Sequence, residues 1–194
     1  MKNEDNNGGK IVRRVVLFIA MSLDGYIADE NGGVNWLNGE NENAEDVDTY
    51  SSFVKDIDTV IMGWNTYHQV VTELSPTEWI YSDLTSYIIT HRNNHNPSTD
   101  KIIFTHKNPC SLVKQLVKEN GKNIWICGGA DVIRQLMQEN LIDTYYISVI
   151  PTILGKGIRL FGTLKNEIRL ELVKTQTYNG ITELIYKRRF LSKS

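Results

Sequence analysis

Apolar residues in this chain gather into short runs of strand length that alternate with segments of helical period. The first run, over 12–21, reads Val-Arg-Arg-Val-Val-Leu-Phe-Ile-Ala-Met and is nearly continuous, as suits a central strand covered on both faces. Further strands are predicted over 58–62, 86–90, 101–105, 124–127 and 144–150, with two last ones over 168–178 and 182–189. Between these two lies Asn179-Gly180, a dipeptide favoured in type I′ hairpin turns. Helices are predicted over 44–55, 64–71, 111–119 and 131–139. In the third, Leu112, Val113, Leu116 and Val117 share one face, and Gly121 would close it. The alternation predicts a wound α/β domain over 12–190, its sheet mostly parallel and ending in an antiparallel hairpin.

Two stretches break this rhythm. Residues 1–11 are polar and rich in Asn and Gly, a composition that buries too little to offset ordering entropy, so a disordered tail without the apolar core of a signal peptide is expected. Residues 22–43 carry Gly25, Gly32, Gly33 and Gly39 among many polar side chains. Loops of that length are usually functional. With Asp24 and Trp36 in it, the stretch suits a lid that excludes water from a reacting centre, although Asp24-Gly25 also reads as a plain turn and Trp36 as a core residue.

At 194 residues and 41% apolar side chains the chain can bury one substantial core, and its net charge of −2 offers no footprint for nucleic acid or an anionic membrane. Cys110 and Cys127 lie far apart, and His68, His91, His95 and His106 show no metal-ligand spacing, so no disulfide framework or metal site is expected. No apolar run nears the ~20 residues that span a bilayer. A cytoplasmic location is the expectation that remains.

Candidate chemistry sits at strand ends. Gly128-Gly129-Ala130 follows a buried strand and opens a helix, where bare amides and the helix dipole favour a phosphate. The same glycines also suit a tight turn and nothing more. Met62-Gly63-Trp64-Asn65-Thr66 repeats the pattern, and there Asn65 or Thr66 either caps the next helix or holds a ligand. Ligands of wound sheets gather at the carboxyl ends of strands, so two such sites favour one shared ligand. The acidic residues Glu40, Glu42, Glu45, Asp46 and Asp48 read as a solvated helix start, one of which, facing inward, would serve as a proton donor.

Taken in order, these segments resemble the dihydrofolate reductase superfamily, in particular its bacterial branch related to the riboflavin-biosynthesis reductase domain. The likeness spans residues 12–189 and implies that family's three-layer α/β/α sandwich. Residues 18–28, Phe-Ile-Ala-Met-Ser-Leu-Asp-Gly-Tyr-Ile-Ala, match its first strand and loop entry, where Ala20 and Ile27 would meet a nicotinamide. Trp36 falls where the family has a loop tryptophan. Val60-Ile-Met-Gly63 with Thr66 matches the strand and helix start that hold cofactor phosphates, and Ile89, Thr90, His91 and Arg92 sit at the adenosine end. Cys127, Gly128, Gly129, Ala130, Asp131 and Val132 match the glycine pair under the pyrophosphate.

The resemblance implies NADPH as cofactor, with NADH an alternative, and hydride transfer to a small heterocyclic or ribityl-pyrimidine/pterin-like substrate held by Asp24, Trp36, Asp48 and Ser148. Asp48 is the nearest counterpart of the family's acid, with Asp46 as rival. No arginine lies within 74–83 to grip a folate tail, and Trp64 and Asp131 stand where arginines often bind the 2′-phosphate, which leaves Arg92 for that contact. The deaminase signature of bifunctional relatives is not in this sequence. Apolar edges and the habit of the branch imply a homodimer, and the alternative function is a nucleotide-binding or regulatory protein without turnover.

Overall fold

Side-chain alternation along the opening strand sorts the core into two halves. In β1 (Val15–Ser22), Val15 and Leu17 join one buried cluster and Val16 another, with Phe18 packed against the second. The computed structural model describes residues 12–41, 47–93 and 97–189. Chain order then runs through β2 (Tyr26–Ala28), α1 (Thr49–Val54), β3 (Ile57–Gly63), α2 (Trp64–Gln69), a π-helical turn (Val70–Leu74), β4 (Thr85–Ile89) and β5 (Ile102–Thr105). After these come α3 (Pro109–Leu116), β6 (Asn123–Gly128), α4 (Ala130–Gln138), β7 (Thr144–Ile150), β8 (Ile158–Arg159), β9 (Leu170–Tyr178) and β10 (Ile181–Arg188).

The eight-stranded sheet has the order β5-β4-β3-β6-β1-β7-β10-β9. Its first six strands are parallel, β10 pairs antiparallel with β7, and β9 with β10. One cluster packs Ile61, Ile124, Ile126 and Tyr145 against Leu112, Val113, Leu116, Ile133 and Leu136 of α3 and α4. The other packs Val60, Met62, Ile88 and Trp125 against Phe53 of α1 and against Tyr67 and Val70 of α2 and the turn after it. This is a three-layer α/β/α sandwich of dihydrofolate-reductase-like topology. Because β6 enters the sheet between β3 and β1, the carboxyl ends of these strands meet at a switch point, where open α/β sheets leave a crevice for ligands.

Element ends differ from the sequence expectation where side chains decide them. The third helix starts early, at Pro109, because Asn108 Oδ1 accepts from the Cys110 and Ser111 amides and proline suits the first helical position. The first helix covers Thr49–Val54 only, and residues 44–46 of the expected span lie outside the described residues. Strands β2 and β8 pair with each other inside stretches read as loop; at three and two residues they are too short to show a period. The hairpin turn is as expected, with φ of 46° at Asn179 and 74° at Gly180. At the opposite end of the sheet Arg13, 4% exposed, pairs with Asp58 and donates to Thr59 Oγ1 (2.6 Å) and the Lys122 carbonyl (2.7 Å). Among the described residues no helix is long and apolar enough to cross a membrane.

Candidate active site

The two glycine-marked strand ends of the sequence lie side by side. Met62 of β3 is in register with Gly128 of β6. A Cβ built on Gly128 would come within 3.3 Å of Thr66 Oγ1, one on Gly129 within 3.4 Å of the same atom, and one on Gly63 within 3.8 Å of the Gly129 nitrogen. Gly63, Thr66, Gly128 and Gly129 therefore surround one point, and Gly128, at φ +155°, adopts a backbone conformation that side chains disfavour. The Gly128–Gly129 peptide is cis.

Helix capping separates this junction from the rest of the molecule. The helices α1 and α3 are capped by the side chains of Asp48 and Asn108, whereas α2 and α4 begin at Gly63 and Gly129 with no side-chain hydrogen bond. Their first amides are left to a ligand or to water. Asn65 and Thr66 do not act as caps, and Asn65 is exposed. Asp131 lies in the first turn of α4, where its carboxylate pairs with Arg134 and accepts from Gln135 Nε2 (2.9 Å), one helical turn further along. Ala130 is half-buried, and buried Val132 lies beside Gly63. A Cβ would be crowded at Gly128, and the uncapped amides that open the nine-residue α4 present the charge sign that suits an anion such as a phosphate.

Residues expected at the adenosine end sit beside this junction. Ile89 of β4 is in register with Gly63. Buried Thr90 follows and accepts from the Arg92 amide (3.0 Å), while His91 and Arg92 are exposed. The Arg92 guanidinium lies 5.3 Å from the centre of the Trp64 ring, which sets a cation at the mouth of α2.

Above the junction the long loop is tied at several points. Asp24 Oδ1 accepts from Ser22 Oγ (2.6 Å) and the Leu154 amide (3.1 Å), and Oδ2 from the Gly155 amide (2.7 Å). The Ser22 hydroxyl chiefly, aided by the Gly155 and Leu154 amides, holds this carboxyl below its ordinary value of 3.8, against an upward push from burial that is second only to the Ser22 bond. Gly32 accepts from Gln69 Nε2 of α2 (2.9 Å), so the loop reaches from the end of β1 to the far side of β6. At its other end Asn41 exchanges two hydrogen bonds with the Asn179 side chain at the hairpin tip (2.8 and 2.9 Å). Half-buried Trp36 donates from its ring nitrogen to the Gly33 carbonyl (3.2 Å). Ile27 of β2 packs against the cluster that Val15 and Leu17 join, and alternation along β1 turns Ala20 to the α1 face of the main sheet.

Asp48, the expected acid, and Asp24, expected to hold the substrate, both make structural hydrogen bonds, while Asp46, the rival acid, lies outside the described residues. Asp48 is exposed and accepts from the Ser51 amide (2.8 Å) as the cap of α1, a role that also lowers its pKa, the Ser51 side chain being the largest cause. Asp24 is bound to loop amides. The α1 face of the sheet holds a further acid: Glu183 on β10, 2% exposed, lies opposite Ser148 of β7, which in turn lies opposite Ala20 of β1. Next to this row Phe18, Tyr50, Phe53, Trp125 and Tyr146 form an aromatic wall with ring centres 4.3–6.3 Å apart. On the same face Cys127 meets the Tyr81 hydroxyl at 3.7 Å, and burial pushes its thiol up to about 11, so it stays protonated at neutral pH.

Parallel strands with a glycine junction at their carboxyl ends, a loop drawn across it and a closing antiparallel hairpin define an α/β sandwich of the dihydrofolate-reductase-like class. A model of the RibD C-terminal domain matches residues 13–182, and the chain belongs to that family. It is 39% identical over 181 residues to the Bacillus subtilis (strain 168) protein YwjB, covering 91% of this chain and 98% of that one. A crystal structure of a Shewanella sp. PV-4 protein named for riboflavin biosynthesis superposes with a TM-score of 0.79 at 30% identity, over 91% and 99% of the two chains. Dihydrofolate reductase from Enterococcus faecalis, complexed with NADP(H), gives 0.61 at 14% identity over 91% and 97%, a likeness of fold alone.

Proposed function

We propose that this protein is a reductase that takes hydride from NADPH and delivers it to a C=N or C=O bond of a small heterocyclic or ribityl-pyrimidine/pterin-like substrate. The observation that carries the reading is the meeting of Gly63, Gly128 and Gly129 beside Thr66 at the uncapped start of α4. Amides there would hold the diphosphate, with Thr66 Oγ1 alongside, and Arg92 would face the 2′-phosphate. The bound nicotinamide supplies the hydride. The chain's own part is to orient the reactants beside Ala20 and Ser148 and to exclude water beneath the Gly32–Trp36 segment. The name of the Shewanella protein and the NADP(H) of the Enterococcus structure favour this cofactor and substrate class.

Titration with NADPH and NADH, followed by thermal unfolding, tests the reading. A ligand at 100 times its Kd stabilises the fold by about 2.7 kcal/mol, so saturating NADPH is expected to raise the Tm by several degrees. Absorbance at 340 nm should then fall when a pterin, pyrimidine or ribityl substrate is supplied. If neither coenzyme shifts the Tm, the reading is wrong. The engagement of Asp24 and Asp48 in structural bonds favours a second reading, a nucleotide-binding protein without turnover. Its signature is NADPH binding with no oxidation on any of these substrates. We also propose a homodimer, supported by the exposure of Leu172 and Val173 on the edge strand β9.

A further inference from the structure

Glu183 is a buried carboxylate that no salt bridge reaches among the described residues. Its neighbours are neutral. Oε2 accepts from Gln176 Nε2 at 2.5 Å, directly opposite on β9. Oε1 accepts from the Tyr178 hydroxyl at 3.5 Å, the outer limit of a hydrogen bond. The side chains of Thr49, at the start of α1, and Ser148 lie near that hydroxyl. An ionised carboxylate offers about four lone-pair sites, so Oε1 is left with most of its accepting capacity unmet.

Burying a charge with neutral partners alone is costly, and a glutamine at this position would keep the bond to Gln176 without that cost. Holding the hairpin together therefore does not account for an acid here. Its place does. Ala20, Ser148, Glu183 and Gln176 form one row across four strands, on the face that also carries the aromatic wall. Directly opposed side chains in such a row have Cβ atoms roughly 5 Å apart. A flat ring lying on Ser148 would thus present one edge to Ala20 and the other to Glu183.

We propose that Glu183 is the substrate-binding carboxylate of this site, and that it accepts N–H bonds from an amidine or amino-substituted C=N edge of a nitrogen heterocycle. The inference rests on the reductase reading, for which it names the recognised edge of the substrate. Ser148 and Tyr178 are the hydroxyls beside it. On binding, the ligand N–H takes over Oε1 from the Tyr178 hydroxyl, which turns to the neighbouring Thr49 and Ser148 side chains.

Benzamidine, a cation with forked N–H donors, and benzamide, its neutral counterpart, are the probes. Each is titrated by calorimetry into the full chain, with and without saturating NADPH. The wild type should prefer benzamidine by about ten-fold or more, as suits charge-assisted hydrogen bonds. In Glu183→Gln that preference should vanish while NADPH affinity and Tm hold. Tyr178→Phe, which keeps the carboxylate and removes the competing donor, should bind benzamidine more tightly than wild type, and it decides the matter if Glu183→Gln does not fold. A wild type without the preference, a Glu183→Gln variant that retains it, or a Tyr178→Phe variant with unchanged affinity would overturn the assignment. Failure of NADPH to bind is read separately, in the titrations without probe, and bears on the reductase reading alone.

Discussion

A methyl group at Gly128 would reach 3.3 Å from the Thr66 hydroxyl and would have to tolerate a φ of +155°. Gly128→Ala is therefore expected to lower unfolding stability in urea by about 1–3 kcal/mol and to weaken NADPH binding through the same junction. Thr66→Val keeps the volume and removes one hydroxyl, so it should weaken NADPH while sparing stability. Arg92 makes a different prediction. If its guanidinium meets the 2′-phosphate, Arg92→Ala should weaken NADPH about ten-fold more than NADH, whereas equal losses would remove that role. Asp24 carries a prediction in pH. Its pKa is depressed on folding, so it binds protons less readily in the native state, stabilises the fold above its unfolded value of 3.8, and loses that contribution as acid takes pH below this value. Asp24→Asn should flatten the acid limb of the stability curve below about pH 4, and an unchanged limb would contradict the Asp24 hydrogen bonds.

At the scale of elements, the loop after β1 is a strap fixed at three places: Asp24 to the loop after β7, Gly32 to Gln69 of α2, and residues 40–41 to the hairpin tip. Asn179→Ala would remove both side-chain bonds to Asn41 and place alanine at φ 46°, costing about 1–2 kcal/mol. Gln69→Ala frees only the α2 end, and faster amide exchange over 29–36 with little change in global stability is the expected result. Much of this level was legible in the residues. Apolar runs located the main-sheet strands, Asn179-Gly180 located the turn, and the two glycine ends were visible because each follows a buried run. What joins those ends is the insertion of β6 between β3 and β1, a property of strand order that no local pattern carries. Glu183 was hidden for a similar reason. Between Thr182 and Leu184 in a strand it reads as a solvent-facing residue, and only its register with Ser148 and Gln176 turns it inward. Asp48 shows the reverse, since Asp-x-x-Ser before a helix is itself a capping pattern, and the resemblance drew attention to the carboxylate as an acid instead.

Across the whole molecule the two ends of the sheet do different work. The end away from the site is locked by Arg13, whose guanidinium joins β3 to the α3–β6 connection, and Arg13→Ala should cost about 3 kcal/mol by leaving the Leu116 and Lys122 carbonyls without this donor and Asp58 without its cationic partner. The outer edge is open at β9, so Leu172→Lys should leave the fold intact and shift a dimer to monomer in sedimentation velocity; a dimer that survives would place its interface elsewhere. The glycine junction, the strap and the Ala20–Ser148–Glu183 row all lie toward the carboxyl end of the parallel strands. A crystal structure with NADPH bound tests that view most directly. The account predicts diphosphate oxygens at roughly 3 Å from the first amides of α4, beside Gly63 and Thr66, with the nicotinamide under the strap next to Ala20. A dinucleotide bound away from the Gly128-Gly129 turn, or a turn that stays closed to it at saturating NADPH, would contradict the account.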